Sequence, residues 1–172
     1  TVYNRGNVTL ENTIYDGGGS GKSSLVLWAD NGRYSNITIR NCEIRYGDEH
    51  GIFAGGSAGS GFSNVLIEGC TFHHNNLDGI NTWGEQDDCL QNVTVRNCTF
   101  HDNYGEAGLS DPSGSGCVLG MVDGGTIEYC TAYSNGKDNT NSAGPVGIWT
   151  YDSRNVTIQF CESYNNRTSG GD

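Results

Sequence analysis

NVTVRNCTF, residues 92–100, is the most informative segment of the sequence, because near copies of it return along the chain. The copies are NVTLENTIY from residue 7, NITIRNCEI from 36, NVLIEGCTF from 64, GGTIEYCTA from 124 and NVTIQFCES from 155. Successive starts are 29, 28, 28, 32 and 31 residues apart. A period of this length indicates a repeat architecture in which each unit packs on the next one. The sequence therefore predicts stacked coils that begin near residues 7, 36, 64, 92, 124 and 155.

Each copy has the pattern of two short strands joined by a corner. Its second and fourth positions are apolar and alternate with polar residues, which is the periodicity of a half-buried strand. Its sixth position predicts a left-handed backbone, which Asn and Gly adopt most easily. That position holds Asn12, Asn41, Gly69, Asn97, Tyr129 and Phe160. A second corner is expected at Asn75, Asn103, Asn135 and Asn166, with Gly18 and Gly47 in the same slot.

A third strand is predicted to close each coil. It is written LVLW from residue 25, GIFAG from 51, GINTW from 79, GCVLG from 116 and GIWTY from 147. Stacked coils of this kind share continuous parallel sheets, with neighbouring strands about 4.8 Å apart. No segment keeps a 3.6-residue apolar period over a dozen positions, so helices are not expected. The predicted fold class is all-β, a parallel β-helix with three short strands in each coil.

Charge and hydropathy restrict the partners. The net charge is −11, and Lys22 and Lys137 are the only lysines, whereas a protein that binds nucleic acid needs a basic face. The same charge disfavours anionic membranes. No apolar run approaches the roughly 20 residues of a transmembrane helix, and no signal peptide is recognisable. We expect neither nucleic acid nor a membrane as a partner.

The cysteines predict a buried row and not a disulfide framework. Five of the seven occupy the same slot in successive copies: Cys42, Cys70, Cys98, Cys130 and Cys161. Geometry and not number decides whether cysteines bridge, and small buried thiols pack as apolar groups. Cys117 falls in an inward slot of the third strand. Cys89 is expected in a loop, and the sequence leaves open whether it is free.

The phrases N-V-T-I-x-N-C-T-F and D-G-I-N resemble the right-handed parallel β-helix repeats of the pectin-lyase-like superfamily. This group includes pectate lyases, polygalacturonases, alginate epimerases and bacterial surface proteins. The resemblance covers nearly the whole chain and implies about five to six right-handed coils. Residues 1–172 would be a single domain or an interior fragment of a larger β-helix, lacking one or both caps. Uncapped coils expose unpaired strand edges, and such edges are a hazard for self-association through the ends.

The resemblance also implies a secreted or cell-surface protein whose partner is a polysaccharide. Sugars in this superfamily lie along the sheet of third strands and the loops beside it. The residues that point outward there make the candidate substrate-binding set: Trp28, Phe53, Asn81, Trp83, Trp149 and Tyr151. An exposed aromatic stripe often marks a binding surface. The alternative is that long loops cover these rings and make them a satellite core.

Candidate catalytic residues come just before the third strand. The stagger of one coil places His50 beside Asp78, with Lys22 and Glu49 expected nearby. A base, a carboxylate and a cation together could remove the proton alpha to a uronate carboxylate or protonate a leaving group. Lyases of the superfamily use Lys or Arg as the base and Ca²⁺ to neutralise the substrate, and these residues do not match that motif. Asp78 has an alternative role, since Asp-Gly before a strand is common turn chemistry.

Two further groups could bind metal. Glu85, Asp87 and Asp88 form an acidic loop that is the candidate Ca²⁺ site, although it lacks the usual calcium-loop spacing and solvation alone is the alternative. We expect either no cofactor or Ca²⁺. His73 and His101 share a slot one coil apart, with Asp102 at the same level. Because structural metal sites need about four ligands, these two are expected to be a solvated pair.

Three functional classes fit these observations: a carbohydrate-active enzyme, a sugar-binding or adhesive module, and a structural module that assembles end to end. The predicted third-strand sheet lacks the paired carboxylates on which glycoside hydrolases depend. We therefore expect part of a polysaccharide lyase-like protein, which acts on or binds an acidic or neutral polysaccharide of plants, algae or microbes. The alternative is a non-catalytic structural, adhesive or self-assembling β-helix.

Overall fold

The computed structural model describes residues 1–142, 144 and 146–167, and these residues form short strands joined by tight corners. Within these ranges eighteen strands follow one another in sets of three, and each set makes one coil. Across the described part of the chain, no helix has the length and apolar character needed to span a bilayer.

The strands align in three parallel sheets. Sheet A contains β1 (Val2–Tyr3), β4 (Leu25–Ala29), β7 (Ile52–Gly56), β10 (Ile80–Gly84), β13 (Cys117–Gly120) and β16 (Ile148–Tyr151). Sheet B contains β2 (Val8–Glu11), β5 (Arg33–Arg40), β8 (Gly61–Glu68), β11 (Leu90–Arg96), β14 (Val122–Glu128) and β17 (Arg154–Gln159). Sheet C contains β3 (Ile14–Asp16), β6 (Glu43–Arg45), β9 (Thr71–His73), β12 (Thr99–His101), β15 (Thr131–Tyr133) and β18 (Glu162–Tyr164). The predicted all-β parallel β-helix of about six coils is confirmed, with β1 as an additional strand.

The corner between sheets B and C is left-handed in all six copies. Its φ values lie between 52° and 63°, also where the residue is Tyr129 or Phe160. A second left-handed residue bends each strand of sheet B where a copy begins, as at Asn7 and Asn36. The Asn36 amide donates to Asn7 Oδ1 at 2.9 Å, so the bend also links neighbouring coils.

The predicted row of thiols lies in the core. Cys42, Cys70, Cys98 and Cys130 are buried, Cys161 is partly exposed, and all seven cysteines are free thiols. Cys89 lies at the turn before β11, as expected of a loop residue. Its side chain nevertheless packs in the core and is 1% exposed. Burial raises the pKa of Cys89 to about 11 and the pKa of Cys117 well above its usual range.

A ladder of asparagines fills the predicted second corner. Asn75 donates to Asn103, Asn103 to Asn135 and Asn135 to Asn166, each from Nδ2 to Oδ1 at 2.8 Å. The first three side chains are completely buried. Each Nδ2 also reaches a main-chain carbonyl of the preceding coil, such as Phe72 O for Asn103. The ladder therefore satisfies backbone groups that a corner would otherwise leave unpaired inside the protein.

Candidate functional site

The outer face of sheet A carries the residues that the repeat predicted there. Parallel pairing aligns Phe53, Asn81, Val118 and Trp149 in one row across four coils. The adjacent row contains Trp28, Gly55 and Trp83 in consecutive coils. Both the inward and the outward slots follow the predicted alternation. Register alone thus gathers aromatic side chains from separate coils on a single surface.

Trp28, Phe53 and Trp83 form a stacked group at one end of this face. The ring centroids of Trp28 and Phe53 are 6.0 Å apart, and those of Trp28 and Trp83 are 6.3 Å apart. Gly55 lies between the two indoles in the register, and a Cβ there would collide with the main-chain carbonyl of Trp83 and meet the Trp28 ring at 3.2 Å. The missing side chain lets the two indoles approach across an intervening coil. Trp83 remains 40% exposed and offers its ring to solvent.

Trp149 and Tyr151 are fixed by hydrogen bonds at the other end. The Trp149 indole donates to Ser115 Oγ at 3.1 Å, and the Tyr151 hydroxyl donates to Thr82 O at 3.2 Å. The Tyr151 ring lies where a Cβ on Gly120 would stand. Burial raises the pKa of Tyr151 to about 12, so its hydroxyl stays neutral and can donate. Rings held in this way lose little rotamer entropy when a ligand binds.

A cavity of about 580 Å³ opens between these aromatic groups. Its far wall is the connection between β12 and β13, from which Leu109, Asp111 and Pro112 face the sheet. The remaining lining is His50, Phe53, Leu77, Asp78, Asn81, Trp83, Ser113, Val118, Trp149 and Tyr151. This wall was not predicted from the sequence. Its signal was the coil that begins at Asn92, which is 32 residues long where its predecessor has 28.

The predicted pair of His50 and Asp78 lies within this cavity. His50 Nδ1 is 3.1 Å from Asp78 Oδ2, and the Asp78 side chain is 2% exposed. Asp78 is held in place because the backbone N–H of Ser115 donates to Oδ1 at 2.7 Å and Asn81 donates to Oδ2 at 2.9 Å. Phe53 stacks on the His50 ring with centroids 5.5 Å apart. The plane of the imidazole and the position of the carboxylate are both fixed.

The contacts of His50 favour one tautomer. The amide of Asp78 is also 3.4 Å from Nδ1, but that contact and the carboxylate contact need opposite proton positions. The contact with the carboxylate is the shorter of the two, so an Nδ1–H that donates to Asp78 Oδ2 is the better-supported arrangement. Nε2 then keeps its lone pair and can accept a proton. The pair has the form of a general base with an orienting carboxylate.

Lys22 and Glu49 do not join this pair in the described structure. Glu49 Oε2 accepts from Ser23 Oγ at 3.3 Å, and that hydroxyl oxygen accepts from the His50 backbone N–H at 3.3 Å. Lys22 is exposed in the turn before β4. Neither residue is among the described residues that line the cavity. The turn directs both side chains away, although the coil stagger places their backbones close to His50.

The carboxylates of the acidic loop contact different partners. Glu85 accepts from the amide of Ala58 at 3.1 Å, and Asp88 forms an ion pair with Arg154 at 2.5 Å. Asp87 and Asp88 share a shallow depression with Arg154. Glu85, Asp87 and Asp88 do not converge as a ligand set in the described structure. The positive charge of Arg154 opposes a cation beside Asp88, and the loop remains a predicted Ca²⁺ site without support from this geometry.

Three stacked parallel sheets and left-handed corners define a β-solenoid, here with a partly enclosed aromatic cavity on one sheet. The family model for the right handed beta helix region matches residues 23–171. The chain therefore belongs to this right-handed β-helix family. Comparisons with curated proteins and with solved structures gave no match. Family membership gives the fold, and the chemistry of the cavity has to indicate the ligand.

Proposed function

We propose that the cavity on sheet A binds a segment of a polysaccharide. One observation carries the proposal: aromatic side chains from three coils, namely Phe53, Trp83, Trp149 and Tyr151, open into the same 580 Å³ space. Ligand sites of this size are usually apolar with a few placed polar groups. Asn81, Ser113 and Asp78 supply such groups here. Flat aromatic rings can stack on the apolar faces of pyranoses, while these polar groups can form hydrogen bonds with the sugar hydroxyls.

The charges around the cavity favour a neutral sugar. Asp78 and Asp111 are the carboxylates of the described lining, which contains no Lys or Arg. The whole chain carries a net charge of −11. Like charges repel, so an anionic glycan would need a cation that neutralises it. A neutral polysaccharide is therefore the proposed ligand, and dependence on added Ca²⁺ is the mark of an acidic one.

Catalysis is the second candidate, and the 3.1 Å contact of His50 with Asp78 favours it. His50 Nε2 would take the proton alpha to a uronate carboxylate, and the electron pair would expel the 4-linked oxygen to leave an unsaturated end. The expelled oxygen must gain a proton from water or from a nearby acid. No cationic side chain of the described lining stabilises the resulting carbanion. Binding alone therefore has the better support.

The test is titration of the protein with a panel of neutral and acidic polysaccharides, with and without EDTA. Trp83→Ala should weaken binding at least tenfold, because aromatic anchors usually dominate contact energy. Tyr129→Ala is the matched control, since Tyr129 is exposed at a corner away from sheet A. Unchanged affinity in a Trp83→Ala, Trp149→Ala double variant would rule out the proposed surface.

Catalysis is scored in the same samples by ultraviolet absorbance from unsaturated ends. If His50 is the base, His50→Gln should abolish this signal while binding persists. Absence of the signal with every polysaccharide would leave the protein a binding module.

A secreted or cell-surface location forms part of the proposal because such polymers are met outside the cell. Self-association through the outer coils stays a prediction, to be checked by sedimentation over a range of concentrations.

A further inference from the structure

A second polar cluster lies outside sheet C, away from the cavity. In this sheet His73 pairs with His101, so the two imidazoles stack with centroids 4.9 Å apart. The residues that follow them, His74 and Asp102, occupy the left-handed corner with φ of 57° and 51°. The His74 amide donates to Asp102 O at 3.0 Å, which makes them neighbours in the next row. Register thus collects three of the chain's four histidines and a carboxylate at one corner.

We propose that His74, His101 and Asp102 bind a divalent transition-metal ion of the Zn²⁺ type. One ligand atom from each residue lies within 4.8 Å of the other two. Within the described residues this is the one group of three or more such side chains that converges in this way. Bonds of about 2.0–2.2 Å from a central ion to imidazole and carboxylate require only small side-chain movements from these positions.

Hydrogen bonds around the cluster prepare the imidazoles as ligands. His73 Nε2 is 3.2 Å from Glu43 Oε1, and His73 Nδ1 is 2.7 Å from His74 Nδ1. If His73 donates from Nε2 to the carboxylate, its Nδ1 accepts the Nδ1–H of His74. His74 Nε2 then carries the free lone pair that a metal needs. A carboxylate and an imidazole behind a metal-binding histidine are the usual supports that fix its tautomer.

His101 lies beside the third ligand. Its Nδ1 is 2.8 Å from Asp102 Oδ2, so these two atoms can bind one ion when the proton of this imidazole is on Nε2. Tyr133 stacks on the other face of this ring, with centroids 5.1 Å apart, and so holds its plane. Tyr46 and Tyr104 flank His74 at 5.5 and 5.6 Å. These two rings restrict the orientation of the His74 imidazole.

Charge also favours a cation at this position. Neutral imidazole is the form that binds metal. The guanidinium of Arg45 is already paired with Asp16 at 3.0 Å and Glu43 at 2.6 Å, and the ammonium of Lys137 lies over the Tyr104 ring at 3.7 Å. Two nitrogen ligands select Zn²⁺ and related ions over Mg²⁺ or Ca²⁺, which prefer sites made of oxygen.

The experiment is calorimetric titration of the EDTA-treated, dialysed protein with Zn²⁺, and with Ca²⁺ and Mg²⁺ as comparison ions. One Zn²⁺ site is expected. His74→Asn and Asp102→Asn should each weaken it at least tenfold, and Asn accepts the left-handed backbone of both positions. His73→Gln should weaken it about tenfold through the lost support. His50→Gln is the matched control, because it removes the remaining histidine and should leave the affinity unchanged.

Circular dichroism of each variant shows whether the coils remain folded, and nuclear magnetic resonance of the imidazole groups locates the ion. Zn²⁺ should shift the signals of His74 and His101 and spare that of His50. The proposal is overturned if Zn²⁺ does not bind, or if folded His74→Asn and Asp102→Asn proteins bind it as well as the parent does. It is also overturned if His50→Gln abolishes binding, which would place the ion in the sheet A cavity.

Discussion

Replacing Asn103 by alanine should destabilise the protein far more than the loss of one exposed amide would. Asn103 Oδ1 accepts from Asn75 Nδ2 at 2.8 Å and from the Asn75 backbone N–H at 3.3 Å. Asn103 Nδ2 donates to Asn135 Oδ1 at 2.8 Å and to Phe72 O at 3.4 Å. These groups are buried, so water cannot replace the missing amide without rearrangement.

The cost follows from the groups that lose their partners. Asn135 Oδ1 keeps the backbone N–H of Asn103 at 3.1 Å, so it stays satisfied. The two donors of Asn75 lose the acceptor that they share. An unsatisfied buried polar group costs about 1–3 kcal/mol, which gives about 2–6 kcal/mol for the pair. For a chain of this size each kcal/mol lowers Tm by about 2–4 °C, so a fall of roughly 5–20 °C is expected.

The assay is urea and thermal unfolding of the parent, Asn103→Ala and Asn166→Ala, followed by far-ultraviolet circular dichroism and by tryptophan fluorescence. Coincident transitions establish that a single free energy of unfolding can be used, which repeat proteins do not always allow. Asn166 belongs to the same ladder, where its Oδ1 accepts from Asn135 Nδ2. Its side chain is partly exposed, so water can replace it. Its removal should cost about 1 kcal/mol. Equal losses at Asn103 and Asn166 would refute the reasoning, because they would mean that water reaches the buried part of the ladder.

Three further predictions concern the core and the cavity. Cys98→Ser should lower the free energy of unfolding by about 1–3 kcal/mol, because it buries a poorly satisfied hydroxyl. Cys161→Ser should lower it less, because Cys161 is partly exposed. Urea unfolding measures both changes. The pKa of Cys89 is raised to about 11 by burial, so the stability that its neutral thiol supplies is complete below about pH 9 and is lost toward pH 11. Cys89→Ala should therefore show a smaller fall of Tm over that range, and an identical fall would contradict the assignment. Gly120→Ala should displace the Tyr151 ring and weaken glycan binding several-fold while Zn²⁺ affinity stays constant, as two titrations of one sample would show.

The repeat made the fold predictable because each of its positions has one structural role. Leu25, Ile52 and Ile80 share an inward slot with apolar residues of other coils, and the parallel pairing aligns them as predicted. The thiol row and the asparagine ladder were predictable for the same reason. Val2–Tyr3 was missed because two residues are too few to show any period. Tyr129 and Phe160 adopt the corner although their side chains disfavour it, so here the coil overrides local preference.

The site was predictable only where it follows the repeat. The stagger of one coil placed His50 beside Asp78, and their contact of 3.1 Å agrees with that placement. Lys22 and Glu49 depend on side-chain directions within turns, which spacing does not specify. The wall that carries Leu109 and Pro112 belongs to an insertion that the two coils of 28 residues lack. His74 was overlooked for a similar reason, because it lies one residue beyond the slot that His73 and His101 share.

The copies that begin at Asn36, Asn64 and Asn92 are spaced by 28 residues each time. This regular spacing affects how such a chain can evolve. A gene segment that encodes one of these units could be duplicated or lost in frame, and its neighbours would still meet equivalent partners on both sides. Each duplication would lengthen sheet A by about 4.8 Å, so the outer face proposed as the binding surface would grow by steps. Copying the longer unit that begins at Asn92 would instead add a second wall with its own cavity. Duplication of different repeat units during evolution could therefore change the length of this surface and the number of its cavities independently.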